Sequence, residues 1–209
     1  MPDRHPPQQR RSQERVERIL DAAAGLLEDR GVEALSTRAV AERAEVSIGS
    51  LYRFFADVDD VLEAVARRYV AGLRESLAAA RPDGAHGSWR DELQAVIDAI
   101  VAYCATEPGF RALWLGERLN PHLLEAQRTN GAVLADALRH LLEPLAPGRA
   151  DPLAYRIAVE AGEPLLRLAF RDHPAGDPAV VAELQRLFVA YLRDDLDDER
   201  RTGTRSAFT

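Results

Sequence analysis

Apolar residues recur along this chain with a helical period almost throughout. Val16, Ile19, Leu20, Ala23, Leu26 and Leu27 share one face of an amphipathic helix. Gly31, just after Arg30, supplies the residue type that closes a helix in a left-handed turn. Ser36 and Ser47 have the right chemistry to cap two short helices, one reaching about Ala44 and one about Phe54. Asp57 caps a fourth, with Asp59 and Asp60 in its first turn, running to about Arg81. The RPDGAHGS stretch, 81–88, breaks the pattern. It resumes at Trp89–Thr106, and Pro108 and Pro121 suit the first turns of two further helices. Asn120 would cap the second, which continues to about Leu142. After a break at 142–152, Leu153, Ile157, Ala161, Leu165 and Leu168 form a stripe. Pro164 is expected to kink or split that segment. Asp177–Pro178 opens the last helix, whose apolar face is Val181, Leu184, Leu187, Phe188, Tyr191 and Leu192. The sum is an all-α fold of about nine helices. Residues 1–11 and 197–209 are read as flexible tails.

Composition agrees with this reading. Ala and Leu are the dominant apolar residues, whereas Val, Ile and Thr together fill few positions, which argues against a sheet. With Cys104 as the single cysteine, an internal disulfide and a cysteine-built zinc site are excluded. No run of 18 apolar residues occurs, and the N-terminal MPDRHPPQQRRSQER has no apolar stretch. The expected location is therefore the cytoplasm. All 27 basic side chains are arginine. Residues 1–55 are neutral, with nine arginines against nine acids, so the net charge of -7 falls on the remainder. A neutral head on an acidic body hints at an end that faces nucleic acid.

The informative stretch is TRAVAERAEVSIGSLYRFF, residues 37–55. Two short helices meet at a tight turn at Glu45–Ser47. Val40, Ala44, Val46, Leu51 and Phe54 supply the apolar corner, and Ala41 is small where the second helix crosses the first. This is a helix-turn-helix pattern, whose second helix can enter a DNA major groove. A plain corner in a helical bundle would carry the same spacing.

Residues 13–70 resemble the DNA-binding domain of TetR-family (TetR/AcrR-type) transcriptional regulators. The resemblance is carried by ILDAAAGLLEDRG (19–31) and LSTRAVAERAEVSIGSLYRFFADVDDVLEAV (35–65). It implies a helix-turn-helix domain at 12–57 and a ligand-binding and dimerisation domain at 58–196, with 58–81 connecting them. It further implies a DNA-binding regulator, usually a repressor, that forms a homodimer on a palindromic operator and is released by a small-molecule effector. Implied DNA contacts are Ser47, Ile48, Gly49, Ser50, Tyr52 and Arg53, with Thr37 and Arg38 at the phosphate backbone. Each has an alternative: Ser47 as a helix cap, Tyr52 as a core aromatic, Arg53 as a solvated charge, and Arg38 as a partner of Glu42.

Three positions depart from the family pattern. Glu45 stands where glycine is usual in the turn, Phe54 where a tyrosine or histidine often contacts phosphate, and Val58 where lysine is frequent. A smaller electrostatic share of binding follows, which Arg4, Arg10 and Arg11 could offset in the minor groove. In the body, Tyr103, Cys104, Phe110, Trp114 and Leu138 are the ligand-pocket candidates implied by the family. The expected dimer interface uses Ile157, Ala161, Leu165, Leu168, Val181, Leu184, Phe188 and Tyr191. Asp136, His140 and Glu143 share one helix face, only part of a metal shell, so no metal and no cofactor are expected. No phosphate loop or nucleophile elbow occurs, so catalysis is not expected either. Two other readings stay open: a helical interaction module that has lost DNA binding, and a metal-dependent helical enzyme.

Overall fold

A computed structural model describes residues 7–80, 87–115, 121–147 and 151–197. Its helices are α1 (Pro7–Arg30), α2 (Thr37–Arg43), α3 (Ile48–Leu51), α4 (Val58–Ala79), α5 (Trp89–Thr106), α6 (Pro108–Trp114), α7 (Pro121–Leu142), α8 (Pro152–Phe170) and α9 (Pro178–Leu196). A 3-10 turn at Val32–Ala34 follows α1, and no strand occurs among the described residues. The expected positions of Arg4, the Asn120 cap, most of the 81–88 linker and the end from 198 onward lie outside the described residues.

The helix ends follow from local chemistry. Ser36 Oγ accepts the Ala39 N–H (3.1 Å) and Ser47 Oγ accepts the Ser50 N–H (3.2 Å). Asp57, Asp151 and Asp177 each take a first-turn amide of α4, α8 or α9. Proline opens α6, α8 and α9, where its missing N–H has no partner to lose.

Two expectations about helix extent change. α1 starts at Pro7, so residues 7–11 are helical and not part of a tail. Proline is tolerated in a first turn, and QQRR continues with good helix formers. Pro164 neither splits nor ends α8. It lies on the exposed side of that helix, where water can take the carbonyl its ring leaves unpaired.

The chain forms two compact units, residues 1–71 with 107–126, and 72–106 with 127–209. The first unit takes in α6 and most of α4 beside the 12–57 segment. Its core joins Ile19, Ala23 and Leu27 of α1 to Val40 and Leu51 and to Val61 and Val65 of α4. α6 packs against α1, with Tyr69 edge-on to Phe110 (ring centroids 6.0 Å apart) and Phe110 stacked on Trp114 (4.6 Å). Burial pushes the Tyr69 hydroxyl up to about 12, with Glu107 adding to the shift. The second unit centres on the α8–α9 pair. Gly162 lets the two helices close: a Cβ there would stand 2.6 Å from the Phe188 ring. α5 is fastened to the end of α9 by Trp89 Nε1, which donates to Asp197 Oδ1 (2.8 Å), and by the Arg90–Asp197 ion pair.

Candidate nucleic-acid interface

The α2–α3 corner is built on a helix stop. Glu45 N–H donates to Glu42 O (3.2 Å) and Val46 N–H donates to Ala41 O (3.0 Å). That pair of bonds is a Schellman closure, which requires a left-handed residue between them. Glu45 fills that position with φ 54°, so a glutamate holds a conformation that glycine adopts freely. The strain costs roughly 1 kcal/mol. Ser47 then starts α3, and the bonding continues past Leu51 through Tyr52 N–H to Ile48 O and Phe55 N–H to Leu51 O (both 3.0 Å).

Leu51 is fully buried and Phe55 nearly so; they anchor α3 on the core. The expected anchor, Phe54, is only half-buried, and the Arg53 guanidinium sits 5.3 Å over its ring. The correction is one residue in register: both lie within a turn of Leu51, and it is Phe55 that packs into the core.

Ile48 (44% exposed), Gly49, Tyr52 (54% exposed) and Arg53 point outward. Tyr52 is thus no core aromatic, and its hydroxyl lies 3.4 Å from Thr37 Oγ1, linking α3 to the first turn of α2. A Cβ built on Gly49 would meet nothing within 4 Å, so packing inside the chain does not demand a glycine there. Ser47 is engaged as a cap, and the Ser50 Oγ is shut off from solvent without a hydrogen-bond partner. Ser47, Ile48 and Gly49 are thus exposed at the start of α3, whereas the Ser50 hydroxyl is not. Arg38 is exposed and has no ion pair among the described residues, so the alternative of an Arg38–Glu42 pair is not formed. The corner is tied down elsewhere: Arg43 crosses Gly25 of α1 to reach Asp29 (2.6 Å). The acids at the start of α4 are engaged locally, since Asp60 Oδ2 accepts the Ala56 N–H (2.8 Å).

Residues 19–65 match the family of bacterial regulatory proteins of the tetR type, and residues 88–192 match the tetracyclin repressor-like C-terminal domain. A TetR-family transcriptional regulator from Streptomyces coelicolor superposes with a TM-score of 0.71 at 36% identity, over 87% of this chain and 99% of that one. The chain belongs to the TetR family of DNA-binding transcriptional regulators. The HTH-type transcriptional repressor KstR of Rhodococcus jostii is 49% identical over 57 residues, 27% of each chain, so the chain spans about a quarter of that relative. The HTH-type transcriptional regulator BetI of Stenotrophomonas maltophilia is 27% identical over 146 residues, 68% of this chain and 74% of that one.

The TetR-family body places the remaining candidates less simply. Phe110 and Trp114 lie in the first unit, in the aromatic cluster with Tyr69. Tyr103, Cys104 and Leu138 lie in the second, where Tyr103 packs against Gly72. The five expected pocket residues thus do not converge within one unit, because α6 packs on α1. Of the expected interface, Leu184 and Phe188 are buried against Gly162 inside the chain. Ala161 is exposed and Leu165 and Val181 are half-buried. Ile157, Leu168 and Tyr191 are exposed at 41–43%, joined by Leu153 and Leu187, which the interface set lacked. Their place on the same stripes was the available signal. Asp136 accepts from Arg139 (2.7 Å), His140 lies 3.8 Å away, and no group of three metal-binding side chains occurs among the described residues. No described helix is long and apolar enough to cross a membrane.

Proposed function

We propose that this regulator is a repressor that binds a palindromic operator as a homodimer and leaves it when a small-molecule effector binds. The observation that carries the reading is the outward face of α3: Ile48, Gly49, Tyr52 and Arg53 are exposed on a helix anchored from behind by Leu51. A flat, small-residue helix start flanked by a hydroxyl and a guanidinium suits a groove floored by base edges and walled by phosphate. In this reading Thr37, Arg38 and Tyr52 meet phosphates, and Ile48 and Gly49 meet base edges.

One head buries too little DNA to select one site, so the second copy supplies the other half-site. The exposed apolar residues of α8 and α9 are assigned to that pairing, as a twofold four-helix contact. The effector acts through α4, whose residues 58–71 belong to one unit and 72–79 to the other. It releases DNA only by binding the DNA-incompetent state more tightly. Selection from a random duplex pool, followed by gel shifts, tests the proposal. Enrichment of a palindrome bound in a salt-sensitive way is expected; a pool with no enriched sequence sinks it.

A further inference from the structure

Beside α3 lies a cleft of about 430 Å³ whose lining includes Arg15 and Arg18 of α1, Arg53, and Glu45. Its rim also holds Ser47 and Gly49. All three arginines lack an ion pair among the described residues. Three acids of α1 are engaged by other helices instead. Arg68 of α4 takes Asp21 (2.6 Å) and reaches Glu17 (3.8 Å), and Arg43 of α2 takes Asp29 (2.6 Å). Partners from two other helices thus hold Glu17, Asp21 and Asp29, and neither Arg15 nor Arg18 is ion-paired among the described residues. Arg53 is held there by its stacking on Phe54.

We propose that Arg15, Arg18 and Arg53 form a clamp for the DNA phosphate backbone alongside the recognition helix, and that Glu45 weakens it. This rests on the operator-binding reading above. Three guanidiniums around one cleft match phosphodiester oxygens through paired N–H donors. Because Ser47 and Gly49 share the rim, a duplex seated on α3 brings its flanking strand to the cleft. The clamp assigns Arg53 to backbone, not to a guanine edge. It also supplies, from α1, positive charge that Val58 does not supply at α4. Glu45 is the one acid in the lining, and its charge opposes the phosphate it would face.

The test uses the full chain, the selected palindrome and an unrelated duplex of equal length, titrated over a salt series. Arg15→Ala with Arg18→Ala should weaken both duplexes by the same factor, on the order of tenfold. It should also flatten the slope of log affinity against log salt by about 2. The Arg15→Gln and Arg18→Gln pair, which keeps more of the side-chain stem, should do the same with an unchanged circular dichroism spectrum. Arg53→Ala should also weaken both duplexes equally. Glu45→Gln, which keeps size and backbone strain, should tighten both by about threefold. Wild-type affinity and salt slope in the double variant overturn the clamp while operator binding stands. So does an Arg53→Ala loss confined to one base position. Stoichiometric binding of inorganic phosphate by the protein alone overturns the assignment to DNA. A wild-type chain that binds neither duplex overturns the operator-binding reading first, and the clamp with it.

Discussion

Large apolar side chains are exposed in two places among the described residues, and the two places differ in everything else. On α3 and the turn that follows it they are Ile48 and Tyr52, beside Gly49 and Arg53 and next to unpaired arginines. On α8 and α9 they are Leu153, Ile157, Leu168, Leu187 and Tyr191, on helices that carry acids and arginines in near balance, some of them paired, as in Arg167–Glu163 and Arg186–Glu183. Exposure alone therefore does not name a partner. The charge left over beside it does: a cationic surround with a glycine at its centre fits a polyanion, and a neutralised surround fits a second apolar face.

The comparison breaks most visibly on the apolar side. Ile157→Glu with Leu168→Glu puts two carboxylates where the symmetry mate would sit. Both residues are more than two-fifths exposed, so the folded chain accommodates the change. The expected outcome is a monomer by sedimentation and a loss of operator affinity on the order of a thousandfold. A dimer of unchanged mass refutes the assignment of this face.

Gly49→Leu probes the other face. Nothing lies within 4 Å of a Cβ there, so the fold is unaffected and the helix gains roughly 0.5–1 kcal/mol from losing a glycine. DNA affinity should fall on the order of a hundredfold, because a branched side chain would stand where the groove floor must come. A variant that is more stable yet blind to operator sharpens the contrast; full binding would remove α3 from the interface.

These two faces were not equally legible in the sequence. A period of 3.6 residues marked every long helix and both stripes, since a helix must bury one side. It could not say which neighbour covers that side. Leu184 and Phe188 share a stripe with Leu187 and Tyr191, yet Gly162 draws only the first pair inward. Likewise, Phe54 and Phe55 lie three and four residues after Leu51, both on its side of a helix, so the period did not tell which is anchored. Phe110 and Trp114 were candidates only through the family resemblance, and the packing of α6 on α1 is a tertiary fact with no local signature. The turn was clearer: a non-glycine at the closure was visible as a departure, and it is the one non-glycine residue with positive φ among the described residues.

Glu45→Gly is the next smaller effect. It removes the left-handed strain, so thermal unfolding should show roughly 1 kcal/mol of added stability. It also removes the acid from the arginine cleft, so DNA affinity should rise together with stability, while dimer mass stays constant. Glu45→Ala separates the two causes, since it drops the charge and keeps the strain. A rise in affinity with glycine but not with alanine would mean that backbone freedom, not charge, governs the cationic face.

The smallest effect isolates the scaffold under the apolar face. Asp197 ends α9 and holds it to α5; the Arg90 ion pair first, and the Trp89 indole N–H second, keep its carboxyl below the ordinary carboxylate range. A carboxyl depressed in the folded state adds stability above its unfolded pKa of about 3.9 and loses it as pH falls through the lower folded value. The pair is more than a third exposed, so solvent screening keeps the contribution under about 1 kcal/mol. Asp197→Asn should therefore lower the unfolding midpoint slightly near neutral pH, with the difference from wild type closing below pH 4. Neither dimer mass nor operator affinity should follow, because the substitution touches neither exposed face. If the dimer dissociated with it, the α8–α9 surface would owe its pairing to how α9 is held at its end, and apolar exposure would explain less of that face than charge explains of the other.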